Sequence, residues 1–153
     1  MRTLAIDLGT RRVGLALSDE SGRLATPIDV LQVRSPEHAI ELVAQAVSKH
    51  SAVRLVLGLP LNMDGTLGPA AKSTIKWANA LHIQCKLPLI FVDERLSSFA
   101  AEQSLMELKQ RGAKLTRKGK KQRQDALAAA DFLQAFLDGR VPPFDVGKED
   151  GRP

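Results

Sequence analysis

The sequence has no tyrosine, one tryptophan and five phenylalanines among its 153 residues. A chain this poor in aromatics packs on aliphatic side chains, and base stacking becomes a minor way of holding a nucleic acid. There is a single cysteine, Cys85, so an intrachain disulfide is excluded and a reducing, cytoplasmic setting is expected. Cys85 ends Leu81-His82-Ile83-Gln84-Cys85 with no metal-ligand spacing around it, and reads as a structural residue. The three histidines, His38, His50 and His82, share no spacing, which argues against a zinc site. They are expected at the surface, and the order of residues suggests no Ser-His-Asp or Cys-His arrangement. No apolar run approaches the ~20 residues of a membrane span. Met1-Arg2-Thr3 leads straight into an expected strand rather than a signal peptide. Acid is missing from one stretch: residues 109–123, KQRGAKLTRKGKKQR, hold eight Lys or Arg and no Asp or Glu.

What is present is enough for one domain with a real core, since 44% of the residues are hydrophobic. The net charge of +5 points to a polyanionic partner without specifying one. Residues 2–8 and 13–19 read as two strands of a hairpin joined at Gly9-Thr10-Arg11-Arg12. Residues 24–33 continue as a strand, and Pro27 suits an edge position. Ser35-Pro36-Glu37 opens a helix with a capping hydroxyl and a proline in the first turn. A buried strand follows at 53–59, a long loop at 60–68, and a helix from Pro69 to about 85. A last strand at 88–92 leads to a helix over 99–111 capped by Ser97-Ser98, a basic loop over 112–122, and a final helix over 124–138. Pro142-Pro143 and the polar residues to Pro153 read as a frayed tail. The expected division is a domain over 1–138 and a flexible tail over 139–153. The order β-β-β-α-β-α-β-α-α predicts an α/β fold, a mixed sheet with helices on both faces.

Three acidic positions stand at the ends of these elements. Asp7 closes the apolar run Leu4-Ala5-Ile6, Asp93-Glu94 close Leu89-Ile90-Phe91-Val92, and Asp125 opens the final helix. Each has an ordinary explanation taken alone: a turn tie for Asp7, a cap or an ion pair with Arg95 for the second pair, and a dipole-favoured acid for Asp125. Together they suggest carboxylates gathered on a divalent cation. Alternation sends Asp93 and Glu94 to opposite faces, and the residues alone leave open which one joins the others. Asp131, six residues past Asp125, is on another side of its helix. The loop Gly58-Leu59-Pro60-Leu61-Asn62-Met63-Asp64-Gly65-Thr66 follows a strand's carboxyl end, where α/β folds bind ligands, but it is not a Walker A loop.

Four segments, in order and at matching intervals, resemble one family: Asp7-x-Gly9-x-x-Arg12-x-Gly14-x-Ala16, the 58–66 loop, Asp93-Glu94-Arg95-Leu96-Ser97-Ser98, and Asp125-Ala126-x-Ala128-Ala129. Together they are similar to the YqgF/RuvX family, described as candidate Holliday-junction resolvases and pre-16S ribosomal RNA nucleases. The likeness covers residues 1–138. It departs from the family pattern at Ser97-Ser98, where two threonines are usual, and at Gln124, where an apolar residue is common. The resemblance implies an RNase H-like fold: a five-stranded sheet in the order 3-2-1-4-5, with strand 2 antiparallel. It also implies a metal-dependent nuclease in which Asp7, Glu94 and Asp125 hold Mg²⁺ or Mn²⁺. Asp7 would bridge two ions, with Glu94 and Asp125 each on one side.

Arg11, Arg12, Asn62, Arg95, Lys114, Arg117, Lys118, Lys120, Lys121 and Arg123 are the expected contacts to structured RNA or branched DNA. Lys and Arg contacts to phosphate give affinity rather than sequence readout. The segment Gly112–Gln122 is expected to be mobile until nucleic acid orders it. Two other readings stay open. One is a non-catalytic nucleic-acid-binding module acting in ribosome maturation or transcription. The other is a nucleotide-hydrolase fragment, because Asp7-Leu8-Gly9-Thr10 resembles the first phosphate loop of actin-type folds; those folds close two domains on the nucleotide, and this chain supplies one. A monomer suits cutting one strand, and a two-fold homodimer suits a symmetric junction.

Overall fold

The computed structural model describes residues 1–96 and 117–146, with 117–125 described by backbone alone. The strands are β1 (Thr3–Leu8), β2 (Arg12–Ser18), β3 (Ala25–Gln32), β4 (Arg54–Leu59) and β5 (Leu89–Asp93). The helices are α1 (Pro36–His50), α2 (Pro69–Cys85) and α3 (Arg117–Leu137), and a short 3-10 turn spans Glu94–Leu96. The sheet runs in the order β3-β2-β1-β4-β5. β2 is antiparallel to both its neighbours, while β1, β4 and β5 are parallel. This is the mixed, RNase H-like sheet that the element order and the resemblance implied.

Alternation in β1 decides what each face becomes. Leu4 and Ile6 point to one side and pack with Leu15, Leu57, Trp77 and Leu81 beneath α1 and α2. Ala5 points to the other and meets Ala16, Val56, Val92, Ala129, Phe132 and Leu133 beneath α3. Large aliphatic residues fill the first face. Small residues on the second let α3 lie close to β1 and β2. α1 begins as its sequence requires: Ser35 Oγ accepts from the His38 amide at 3.0 Å, with proline in the first turn. Pro27 lies on edge strand β3, beside a register shift opposite Leu15 and Ala16.

Two expectations change. The final helix begins at Arg117, not near 124, so Lys118, Lys120, Lys121 and Arg123 belong to a helix rather than a loop. Lys, Arg and Gln are good helix formers, and one Gly119 costs the helix only ~1 kcal/mol. The chain after Gly139 is not simply a tail. Val141 is buried against the α3 face, Phe144 and Val146 pack on the other core, and the Phe144 amide bonds the Phe91 carbonyl at the edge of β5. Proline-rich composition hid these apolar anchors. The expected helix over 99–111, its cap at Ser97-Ser98, Lys114 and residues 147–153 lie outside the described residues.

Candidate active site

Asp7 is two residues beyond Ala5 and therefore on the α3 face of the sheet. Its partner on β2 is Gly14. On the other side Ile6 pairs Leu57, which sets Asp7 beside Gly58 of β4. Gly58 in turn pairs Val92 of β5. Across this row, glycine flanks the aspartate on both sides, leaving a floor without side chains.

Glu94 continues the parity of Val92 and stands on the same face. A Cβ placed at Gly58 would lie 3.0 Å from Glu94 Cβ, 3.1 Å from Glu94 Oε2 and 3.0 Å from Phe132 Cε2. The Glu94 side chain thus lies across Gly58, one strand from Asp7, with Phe132 of α3 beside it. Glu94 follows β5, two strands from β1, and its side chain covers Gly58 of the intervening β4. Gly58 and Phe132 shape the site and were missed in the sequence; the available signal was a glycine inside a strand.

Asp93 has a different task. Its carboxylate accepts from Arg95 Nε at 2.9 and 3.1 Å and from Nη2 at 2.7 Å, and its Oδ1 also accepts from the Arg95 amide. Arg95 Nη1 donates to the Asn62 and Met63 carbonyls, each at 2.9 Å. The guanidinium therefore ties the 60–68 loop to the end of β5. Inside that loop, Asn62 Nδ2 donates to Thr66 Oγ1, and Thr66 donates its amide and hydroxyl to Asp64. Those two bonds hold the Asp64 carboxyl below its usual range. Asn62 and Arg95, expected as nucleic-acid contacts, both organise this loop. Replacing Arg95 by Ala is expected to speed hydrogen exchange at the Gly65 and Thr66 amides by roughly tenfold or more, as a charge-assisted anchor is removed. Arg95→Lys should not restore protection, because an ammonium cannot bridge a carboxylate and two carbonyls in one plane. Unchanged exchange would show that the loop's own bonds suffice.

Arg12 shares parity with Gly14 and Ala16, which puts it on the acid face at the start of β2, while Arg11 belongs to the exposed turn. Asp125 is in the α3 backbone, four residues before Ala129 and seven before Phe132. Gln134 of α3 bonds Ala25 at the start of β3, and Arg54 at the start of β4 stacks on Phe136. α3 thus runs down from the carboxyl ends of β1 and β4, and Asp125 occupies its upper part. Arg117, Lys118, Lys120, Lys121 and Arg123 are further up the same helix.

Burial pushes the Glu94 carboxyl above its usual range, and the nearby Asp93 charge adds to the effect. Burial also raises Asp131, partly offset by Arg140, and its Oδ2 is buried without a hydrogen bond. Cys85, half-buried at the end of α2, has its thiol pushed up by burial, which disfavours the reactive thiolate. Among the described residues no three His, Cys, Asp or Glu side chains gather; the Asp125 side chain is outside that set. Two carboxylates on a glycine floor, one of them desolvated, are hard oxygen donors that fit Mg²⁺ or Mn²⁺. No helix among the described residues is long and apolar enough to cross a membrane.

The chain is similar in sequence and fold to known proteins. The family model described as RuvX, Holliday junction resolvase, matches residues 1–139. A relative from Syntrophomonas wolfei, named as a candidate pre-16S rRNA nuclease, is 42% identical over 139 residues, covering 91% of this chain and 95% of its own. A relative from Geobacillus with the same name is 37% identical over 142 residues, covering 92% and 99%. Among solved structures, Thermus thermophilus RuvC bound to a Holliday junction aligns with a TM-score of 0.59 at 15% identity, covering 94% of this chain and 100% of that one. The fowlpox virus resolvase with its junction DNA aligns at 0.55 and 8% identity, covering 91% and 98%. At these identities the solved structures speak to the fold alone.

Proposed function

We propose, from the premise that this chain belongs to the RuvX family, that it is a divalent-metal-dependent nuclease hydrolysing phosphodiesters of structured nucleic acid. The observation that carries this reading is Glu94 lying across Gly58 on the face of Asp7. A strand-end carboxylate pressed over a bare neighbouring strand and partly desolvated has a cost that cation binding offsets. Asp7, Glu94 and Asp125 would hold Mg²⁺ or Mn²⁺. The bound metal would supply an activated water and neutralise charge on the phosphate. The chain's own residues do the rest. Glu94 would bind the cation as a carboxylate, and because burial holds its carboxyl above the usual range, metal affinity should rise with pH across that range. Phe132 and the van der Waals contact with Gly58 fix the Glu94 side chain, and Arg12 faces the incoming phosphate.

The names of the relatives favour precursor 16S ribosomal RNA as the substrate, with a four-way junction as the second reading from the family description. The deciding experiment gives purified protein Mg²⁺ or Mn²⁺ with labelled precursor rRNA, single-stranded RNA and a four-way junction. Cutting of the precursor at defined positions supports the first reading. Binding without cleavage of any of the three would return the chain to the non-catalytic module. An enzyme working on nascent rRNA acts in the cytoplasm, and one cutting a single strand needs no second copy.

The basic turns of α3 supply the phosphate-tracking charge in this proposal. Exchanging Lys118, Lys120 and Lys121 for Gln should weaken binding of RNA and junction alike. The log–log salt slope should fall by about 0.7–0.9 for each phosphate that is no longer neutralised. A triple variant that binds like the wild type at every salt concentration would move the nucleic-acid face to Arg11, Arg12 and the 60–68 loop.

A further inference from the structure

Behind the acid face, on the α1–α2 side of the sheet, lies a cavity of about 820 Å³ that the hydrolytic site does not use. Its walls are apolar: Leu8, Val33, Ala39, Ile40 and Trp77. Trp77 is almost wholly buried, and its Nε1 donates to the Pro36 carbonyl at 3.0 Å. That bond fixes the indole and occupies its polar atom, so the ring offers the cavity only hydrocarbon. The mouth is polar, with Thr10, Arg34, Ser35, Ser73 and Lys76. A second concavity, lined by Arg11, Gln32 and His38, shares Thr10, Val33 and Arg34 with the first. An apolar slot therefore opens onto a shelf bearing Arg11, Arg34 and Lys76, against the single acid Glu37. The His38 ring is held there by the Arg34 amide, which donates to its Nδ1 at 3.1 Å.

We propose that this cavity binds one unpaired nucleotide of the nucleic-acid substrate, its base in the slot beside Trp77 and its phosphate on Arg34 and Arg11. A flat, largely apolar ring joined to an anion matches the slot and the shelf together. The volume is in the usual range for a small ligand, ~300–1,000 Å³. A purely apolar ligand would leave the cations unused, and an inorganic anion would leave the slot unused. A strand is favoured over a free nucleotide by continuity with the acid face. Asp7 and Leu8 are consecutive residues of β1 on opposite faces, and the turn after them carries Arg11 on the shelf and Arg12 on the acid side. A backbone crossing that turn reaches both sites. The inference rests on the nuclease reading for the identity of the strand.

Trp77 is the only tryptophan in a chain without tyrosine, so intrinsic fluorescence reports on this cavity alone. The experiment titrates the full chain in EDTA, where nothing is cut, with a labelled RNA hairpin carrying a single-stranded 3′ extension, the same hairpin with a blunt end, and AMP. Anisotropy of the labelled RNA gives total binding beside the tryptophan signal. The extended hairpin should quench Trp77 saturably, with the blunt one bound but silent and AMP far weaker. Arg34→Glu should weaken the quench by roughly tenfold or more, the change expected for one charged contact reversed in sign. Binding by anisotropy with no change at Trp77 would overturn the cavity proposal and leave the nuclease reading standing. Absence of RNA binding by anisotropy would overturn the cavity proposal and the precursor-RNA choice of substrate together. An equal response to AMP would replace the strand with a free nucleotide and overturn the proposal as stated.

Discussion

Glu94→Gln is expected to abolish the proposed metal-dependent cleavage while making the metal-free protein more stable at neutral pH. The expected activity loss follows from removing one ligand oxygen of the proposed metal site, whose charge stabilisation would be worth several kcal/mol, roughly 10²–10⁴-fold in rate. The stability gain follows from the raised carboxyl, which burial and Asp93 hold above the ordinary value of 4.5. Below that value both the folded and unfolded chains carry the proton, and Glu94 imposes no penalty. As pH rises past it, the unfolded chain releases the proton while the folded chain keeps it. Stability therefore falls with pH until the folded carboxyl also ionises, and the deficit persists above that point. Glutamine has the same shape and no charge to desolvate. Thermal melts in EDTA from pH 4 to pH 8 should show the variant matching the wild type at the acid end and exceeding it near neutrality. A variant less stable at every pH would mean that the contacts of the Glu94 carboxylate in the metal-free protein outweigh the cost of burying its charge.

Gly58→Ala should injure both the fold and the site. The new methyl would stand 3.0 Å from Glu94 Cβ and from Phe132 Cε2, and 3.1 Å from Glu94 Oε2. Those distances are inside van der Waals contact, so the strand, the helix or Glu94 must shift. Overpacking of this kind costs ~1–3 kcal/mol. A displacement approaching 1 Å at a reacting group costs ~10²-fold in rate. Adding Phe132→Leu should return much of the stability, because the bulkier of the two obstacles is removed. Cleavage should recover less, since the methyl still presses on Glu94. Denaturant unfolding and cleavage rates of the two single variants and the double variant measure this coupling. A Gly58→Ala protein of wild-type stability and rate would show that the floor beneath Glu94 is roomier than its surroundings indicate.

The sheet is legible in the sequence because β1 alternates so plainly. Leu4 and Ile6 against Ala5 and Asp7 define a thick apolar face and a thin one, and the thin one accepts a close helix. The choice between Asp93 and Glu94 turns on parity through a strand end. Alternation separates the two residues without saying which face is which; that follows from Val92 packing under α3. Arg95 reads as a phosphate contact because a guanidinium beside a loop usually is one, and only the folded chain reveals the carbonyls it serves. The start of α3 is hidden because eight like charges over residues 109–123 resemble a solvated loop, although Lys, Arg and Gln individually favour helix. Phe144 is masked by Pro142-Pro143, since its anchor on Phe91 comes from a strand more than fifty residues away. The Trp77 cavity has no local signature: its walls come from β1, α1 and α2, and no single segment announces it.

The most direct test of the acid face is cleavage of labelled precursor 16S rRNA by wild type and Asp7→Asn, each with Mn²⁺ and with EDTA, with binding measured in parallel. The expected result is cutting by wild type with Mn²⁺ only, and an Asp7→Asn protein that binds the RNA normally and does not cut. Equal cutting by Asp7→Asn, or by wild type in EDTA, would contradict a metal-dependent site built on Asp7.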